Sequence, residues 1–102
     1  MYPIYVYNND LIRTVEISPR AKKDLRKVPL FIAAKLDTWI DAVERDGLEN
    51  IRTIPGYHDE PLHGQRRGQR SIRLNRSYRA IYIVLGDSTK LVRIEEVTKH
   101  EY

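Results

Sequence analysis

Residues 78–85 read Tyr-Arg-Ala-Ile-Tyr-Ile-Val-Leu. Apart from Arg79 the run is apolar at odd and even positions alike, and it is rich in aromatic and β-branched side chains. Such a run predicts a central strand, hydrogen-bonded along both edges. The flanking segments supply its neighbours. Upstream, "QRSIRLN" (69–75) alternates Ser71, Arg73 and Asn75 with Arg70, Ile72 and Leu74. Downstream, "GDSTK" turns the chain and "LVRIEEV" (91–97) returns, with Val92 and Ile94 on one side and Arg93 and Glu95 on the other. "EPLHG" (60–64) is a further short extended piece.

The first half of the chain has a different period. Ser18-Pro19 fits an N-cap followed by proline at the first helical position. A helix over 19–28 is broken at Pro29. A second helix over Leu30–Arg45 carries an apolar stripe of Phe31, Ala34, Leu36, Ile40 and Val43, widened by Ile32, Ala33 and Trp39, and Asp46-Gly47 ends it. Residues 48–60 read as a connection with a turn at Pro55-Gly56. At the N-terminus, "IYVYNNDLIRTVEI" (4–17) reads as a hairpin turning at Asn8-Asn9-Asp10, with Leu11–Ile17 the firmer strand. The expected fold is a single α+β domain over 1–102, with two N-terminal helices packed on one face of a twisted, mostly antiparallel sheet of four to five strands.

The 102 residues suffice for one core, and the chain has no cysteine. Disulfides, thiolate zinc sites and cysteine nucleophiles are therefore excluded. No apolar run approaches the roughly 20 residues that span a bilayer. The start, "MYPIYVYNND", lacks the pattern of a signal peptide. The expected location is the cytoplasm, away from membranes.

Net charge is +4, unevenly spread. Residues 1–56 hold nine basic and eight acidic side chains, whereas Pro61–Tyr82 hold six arginines (Arg66, Arg67, Arg70, Arg73, Arg76, Arg79) and no Asp or Glu. The spacing of three is not a helical stripe, because Gly68, Ser71, Asn75 and Ser77 are poor helix formers and 70–75 alternates with period two. On strands and turns, Arg73 and Arg79 can share a sheet face while Arg66, Arg67 and Arg76 sit at loops and ends. If the helices cover one face, the other is left as a basic concavity. A polyanion is the usual partner of such a surface; the alternative is a solvated face that prevents edge-to-edge aggregation.

From residue 60 onward the order of short pieces resembles the RelE-like toxins of bacterial toxin–antitoxin modules, nearest their HigB and YoeB branches. The matching pieces are Pro61-Leu62-His63-Gly64, Gly68-Gln69-Arg70-Ser71, Tyr78-Arg79 and His100-Glu101-Tyr102. The resemblance implies a ribosome-dependent mRNA endoribonuclease that needs no metal or cofactor and is silenced by a cognate antitoxin. In that chemistry the RNA 2′-hydroxyl attacks the neighbouring phosphorus. A base, a cation for the phosphorane and an acid for the 5′-oxygen assist it.

Residue by residue, the resemblance assigns the cation to Arg79, whose planar guanidinium can hold two phosphate oxygens. The competing reading is an ion pair with Glu95. Glu60, directly before Pro61-Leu62, is the expected base, with a loop salt bridge as the alternative. His100 is the expected acid, with Tyr102 stacking on a base or donating a hydrogen bond. A frayed tail is the other reading of both, and Glu101 separates two residues that adjoin in YoeB-like chains. His63, where the family usually has lysine, is a phosphate contact or shares the acid–base work. Arg66, Arg67, Arg70, Arg73 and Arg76 are expected to grip RNA phosphates or keep the surface soluble. His58, Asp59, Glu60 and His63 are not expected to form a metal site, because the arginines around them repel a divalent cation. Tyr57 and Tyr102 are placed to stack on a nucleobase. Tyr78, Tyr82 and Trp39 read as core, and Tyr2, Tyr5 and Tyr7 as an edge strand or partner contact. Two other functions stay open: inhibition of DNA gyrase, as in the related ParE proteins, which share the fold but lack a coherent acid–base–arginine set, and noncatalytic RNA binding.

Overall fold

The structure, a computed structural model, describes residues 11–99. Five strands form one sheet: β1 (Val15–Ile17), β2 (Glu60–Pro61), β3 (Arg70–Arg73), β4 (Tyr78–Leu85) and β5 (Leu91–Lys99). Their order across the sheet is β1-β5-β4-β3-β2. The apolar run thus lies in the middle, as its composition requires. All pairings are antiparallel except β1 with β5, which is parallel. A parallel pair needs a long crossover, and the helices α1 (Pro19–Leu25), α2 (Leu30–Asp46) and α3 (Leu48–Ile51) lie within it.

The start of α1 follows its sequence signals. Ser18 Oγ accepts from Ala21 N at 3.0 Å and donates to the Glu95 carbonyl at 2.9 Å. One side chain therefore caps the helix and ties it to β5. Beyond the end of β1, α1 takes over the β5 edge: Asp24 Oδ2 accepts from Val97 N at 2.9 Å. This covers a backbone donor that would otherwise be open to pairing with another chain.

The buried face of α2 is narrower than the sequence stripe. Ile32, Leu36, Trp39 and Val43, spaced 4, 3 and 4, have no exposed surface, whereas Phe31 is 64% exposed and Ala34 also faces solvent. At about 100° per residue the buried four stay within one arc, and positions 31 and 34 fall outside it. Trp39 packs on Tyr82 with ring centroids 5.3 Å apart. The core continues through Ile72, Leu74, Ala80, Val92, Ile94 and Val97 on the inner side of the sheet.

Gly47 closes α2 with φ +89°, and a Cβ there would stand 2.8 Å from that of Leu11. The strand expected over 11–17 forms only at 15–17. Before it, Ile12 O accepts from Leu48 N at 2.8 Å and ties that residue to α3, while Thr14 O already accepts from Val92 N of β5 at 2.8 Å. The hairpin expected around Asn8-Asn9-Asp10 lies outside the described residues, as do Tyr2, Tyr5 and Tyr7.

A β-bulge interrupts the β4–β5 ladder. Ile81 pairs with Glu96 and Tyr82 with Ile94, leaving Glu95 as the extra residue. The alternation on β5 is reset there. Val92 and Ile94 face the core before the bulge and Val97 after it, while Glu96 is turned to the other face.

Candidate functional site

Cross-strand partners share a face, so the register defines the side of the sheet away from the core. One row runs Glu60–Ser71–Ile81–Glu96, and the adjacent row Arg73–Arg79–Thr98. A hollow of about 360 Å³ opens over them, lined by Glu60, Pro61, Leu62, His63, Ser71, Arg79 and Ile81. Two slightly larger hollows, about 440 and 390 Å³, border Leu11 and Arg13. Neither gathers an acid–base pair around an uncommitted cation, so chemistry and not volume selects the first.

Arg79 is half-buried, and its Nη1 donates to Ser71 Oγ at 2.9 Å. Among the described residues it forms no ion pair. The alternative pairing with Glu95 is not made: Glu95 lies at the bulge, with its carboxylate 3.9 Å from Arg93. Ser71 is only 2% exposed, and it stands directly opposite Glu60. Glu60 itself is exposed and unpaired among the described residues, so the loop salt bridge is not formed within them. His63 lies on the rim, immediately before a 3-10 turn at Gly64–Arg66. Three expected site residues, Glu60, His63 and Arg79, thus meet in one hollow. His100 and Tyr102 lie outside the described residues.

The other arginines divide. Arg73 Nη1 is 3.4 Å from His58 Nε2. Arg66 Nη2 bonds Glu96 Oε2 at 3.0 Å, and Arg20 Nη2 stands 3.5 Å from Oε1 of the same carboxylate. Arg67 and Arg76 are exposed. Arg70 points the opposite way: one residue from Ser71 on the same strand, it takes the other face. There its Nε donates to Asp59 Oδ1 at 2.6 Å, with the Arg70 side chain 25% exposed and that of Asp59 wholly buried. Burial opposes the Arg70 charge, but the hydrogen bond and charge of Asp59 outweigh it and raise its pKa. Tyr82 Oη donates to Asp59 Oδ2, also at 2.6 Å. Burial, reinforced by that bond, pushes the Tyr82 phenol well above its ordinary range.

The placement of Tyr57 departs from the sequence reading. Tyr57 is buried beneath Lys35, whose Nζ is 5.2 Å from the ring centroid, so the ring is not free to stack on a nucleobase. Asp59 and Glu60 face opposite sides of the sheet. Among the described residues no three His, Asp or Glu side chains group as metal ligands. Glu96, 8% exposed and held by two arginines, went unnoticed because "IEEV" does not reveal where the bulge falls. Ser71 stood in the sequence as the end of Gly68-Gln69-Arg70-Ser71, but its bond to Arg79 depends on the register of β3 with β4.

The described residues thus combine this sheet order with a helical layer on one side and a cationic hollow on the other. The sequence profile of the ParE toxin of type II toxin–antitoxin systems, parDE, matches residues 15–101, and the chain belongs to that family. It is therefore a type II toxin of the RelE/ParE superfamily. Solved structures share the fold. YafQ from E. coli strain BL21(DE3) is 23% identical with a TM-score of 0.67, the match covering 86% of this chain and 93% of that one. The YoeB/ParE toxin from Agrobacterium tumefaciens is 18% identical with a TM-score of 0.66, covering 86% and 99%. The E. coli DinJ-YafQ toxin-antitoxin complex matches at 25% identity and a TM-score of 0.63, covering 86% and 92%. No curated protein matches in sequence. Among the described residues, no helix is long and apolar enough to cross a membrane.

Proposed function

We propose that this toxin is an mRNA endoribonuclease acting on the ribosome in the cytoplasm. The observation that carries the reading is Arg79: a half-buried guanidinium, held by a hydroxyl and by no carboxylate among the described residues, in one hollow with Glu60 and His63. Such a group lacks a counter-anion, and a phosphodiester supplies one. Glu60 takes the proton of the 2′-hydroxyl, whose oxygen attacks phosphorus to form a 2′,3′-cyclic phosphate. Arg79 stabilises the charge of the phosphorane. The 5′-oxygen leaves with a proton from His100, and Tyr102 stacks on a base or donates a hydrogen bond. The nucleophile belongs to the RNA, so the mechanism calls for no metal or other cofactor. His63 contacts a phosphate oxygen. Arg67, Arg73 and Arg76 contact flanking RNA, and Arg66 does so from its bond to Glu96. Arg70, bound to Asp59 on the far side, has a structural role in this reading. A cognate antitoxin covers the basic face.

The match to a ParE family keeps a second reading in play, the gyrase inhibition named with the sequence resemblance. The two separate cleanly. Purified protein is added to a translation reaction and, in parallel, to a gyrase supercoiling reaction. Arrest of translation with cut mRNA and unimpaired supercoiling is expected. The reverse pattern replaces the nuclease reading, and salt-sensitive RNA binding without cleavage reduces the chain to a binding module.

A further inference from the structure

Asp59 does not face the hollow, yet it sets the side chain that does. Its buried carboxylate accepts from Arg70 Nε and from Tyr82 Oη, each at 2.6 Å. Arg70 Nη2 also reaches the Asp59 carbonyl at 3.5 Å. Arg70 and Tyr82 are cross-strand partners on β3 and β4, and Pro61 of β2 stands opposite Arg70. One carboxylate thus grips β3 and β4 together at the point where β2 begins.

That grip reinforces a short attachment: β2 pairs only with β3 among the described residues, and beyond it Leu62 N donates to Gln69 O at 2.9 Å. The strand has two residues and lies at the sheet edge. The approach to it is not relaxed either: His58 has φ +45°, the left-handed region that a non-glycine residue adopts at a cost. With Asp59 anchored on the core side, Glu60 is left on the open side, opposite the Ser71 that holds Arg79.

We propose that Asp59 is a positioning residue: its bonds to Arg70 and Tyr82 hold Glu60 at the distance from Arg79 that RNA cleavage requires. This rests on the nuclease reading. It adds that the placement of the base is governed from the opposite face, through a network that never touches RNA.

The test is a double-mutant cycle read as kcat and KM for mRNA cleavage on translating ribosomes, using wild type, Asp59→Asn, Glu60→Gln and the double variant. Asn keeps the size of the side chain and an acceptor oxygen, and thermal unfolding verifies that each variant is folded. Asp59→Asn is expected to lower kcat about tenfold or more, since small misplacements of a reacting group are costly, with KM within about twofold. On the Glu60→Gln background it is expected to add nothing, because the residue it positions no longer acts. A merely structural role costs the same factor on both backgrounds, and that result overturns the proposal, as does a wild-type kcat in Asp59→Asn. If Asn at 59 prevents folding, Tyr82→Phe removes only one of the two grips and is read in the same cycle, with the same two outcomes deciding. A wild-type protein that cuts no mRNA overturns the nuclease reading and this inference with it. A wild type that cuts beside an equally active Asp59→Asn overturns this inference alone.

Discussion

At Arg79 the sheet presents a guanidinium whose hydrogen-bond partner among the described residues is a buried hydroxyl. The planar fork can hold two phosphate oxygens together, whereas a lysine ammonium is a point charge. Arg79→Lys is therefore expected to lower cleavage at least about tenfold while leaving the urea midpoint nearly unchanged, as measured by cleavage kinetics and by denaturation of the same preparation. Tyr82 yields a pH prediction. Its folded pKa is raised, chiefly by burial and then by the bond to Asp59. The stabilisation is fully present below the ordinary tyrosine pKa of about 10 and is lost as pH rises above it, where the unfolded chain releases a proton that the folded chain keeps. Urea unfolding from about pH 9 to pH 11 is expected to show falling stability in wild type and a flatter profile in Tyr82→Phe. At this scale the sequence was partly legible. The placing of Glu60, His63 and Arg79 in one hollow followed from family-like pieces at the right spacing. The task of Asp59 was hidden, because which face a residue takes depends on the register of a strand only two residues long.

Among the elements, α1 does more than its seven residues indicate. It caps its own start with Ser18 and seals the β5 edge with Asp24. Ser18→Ala removes the acceptor for Ala21 N and the donor to the Glu95 carbonyl, and it is expected to destabilise the fold by about 1–2 kcal/mol in chemical denaturation. Helix boundaries at Ser18-Pro19 and Gly47 could be read from the sequence because caps and breakers act within a few residues, whereas α1 stops at Leu25, short of the end expected at Pro29. The β-bulge could not. Two adjacent glutamates, Glu95 and Glu96, fit either register, and only the pairing of Ile81 with Glu96 and Tyr82 with Ile94 decides which one turns to the arginines. The late start of β1 has a similar cause: within a β-prone run Ile12 is held by a hydrogen bond from Leu48, 36 positions further on, and bonding to β5 begins only at Thr14.

For the whole molecule, the two-sided sheet largely separates tasks: apolar packing on the helical side, where Arg70 and Asp59 neutralise each other, and the other site arginines on the open side. In the proposed function the basic surface meets RNA largely through counterion release, so affinity is expected to fall steeply with salt. Replacing Arg67 or Arg73 by Gln is expected to reduce the slope of log K against log salt by about one charge each, whereas Arg70→Gln damages stability more than it changes that slope. Filter binding across a salt series, beside thermal unfolding, measures both. The central claim is that Arg79 stabilises a transition state in RNA cleavage, and mapping mRNA 5′ ends on translating ribosomes with wild-type and Arg79→Ala protein tests it most directly. The account predicts discrete cuts with wild type and a loss of about 100-fold or more with a folded Arg79→Ala. Equal cutting by the two proteins contradicts it.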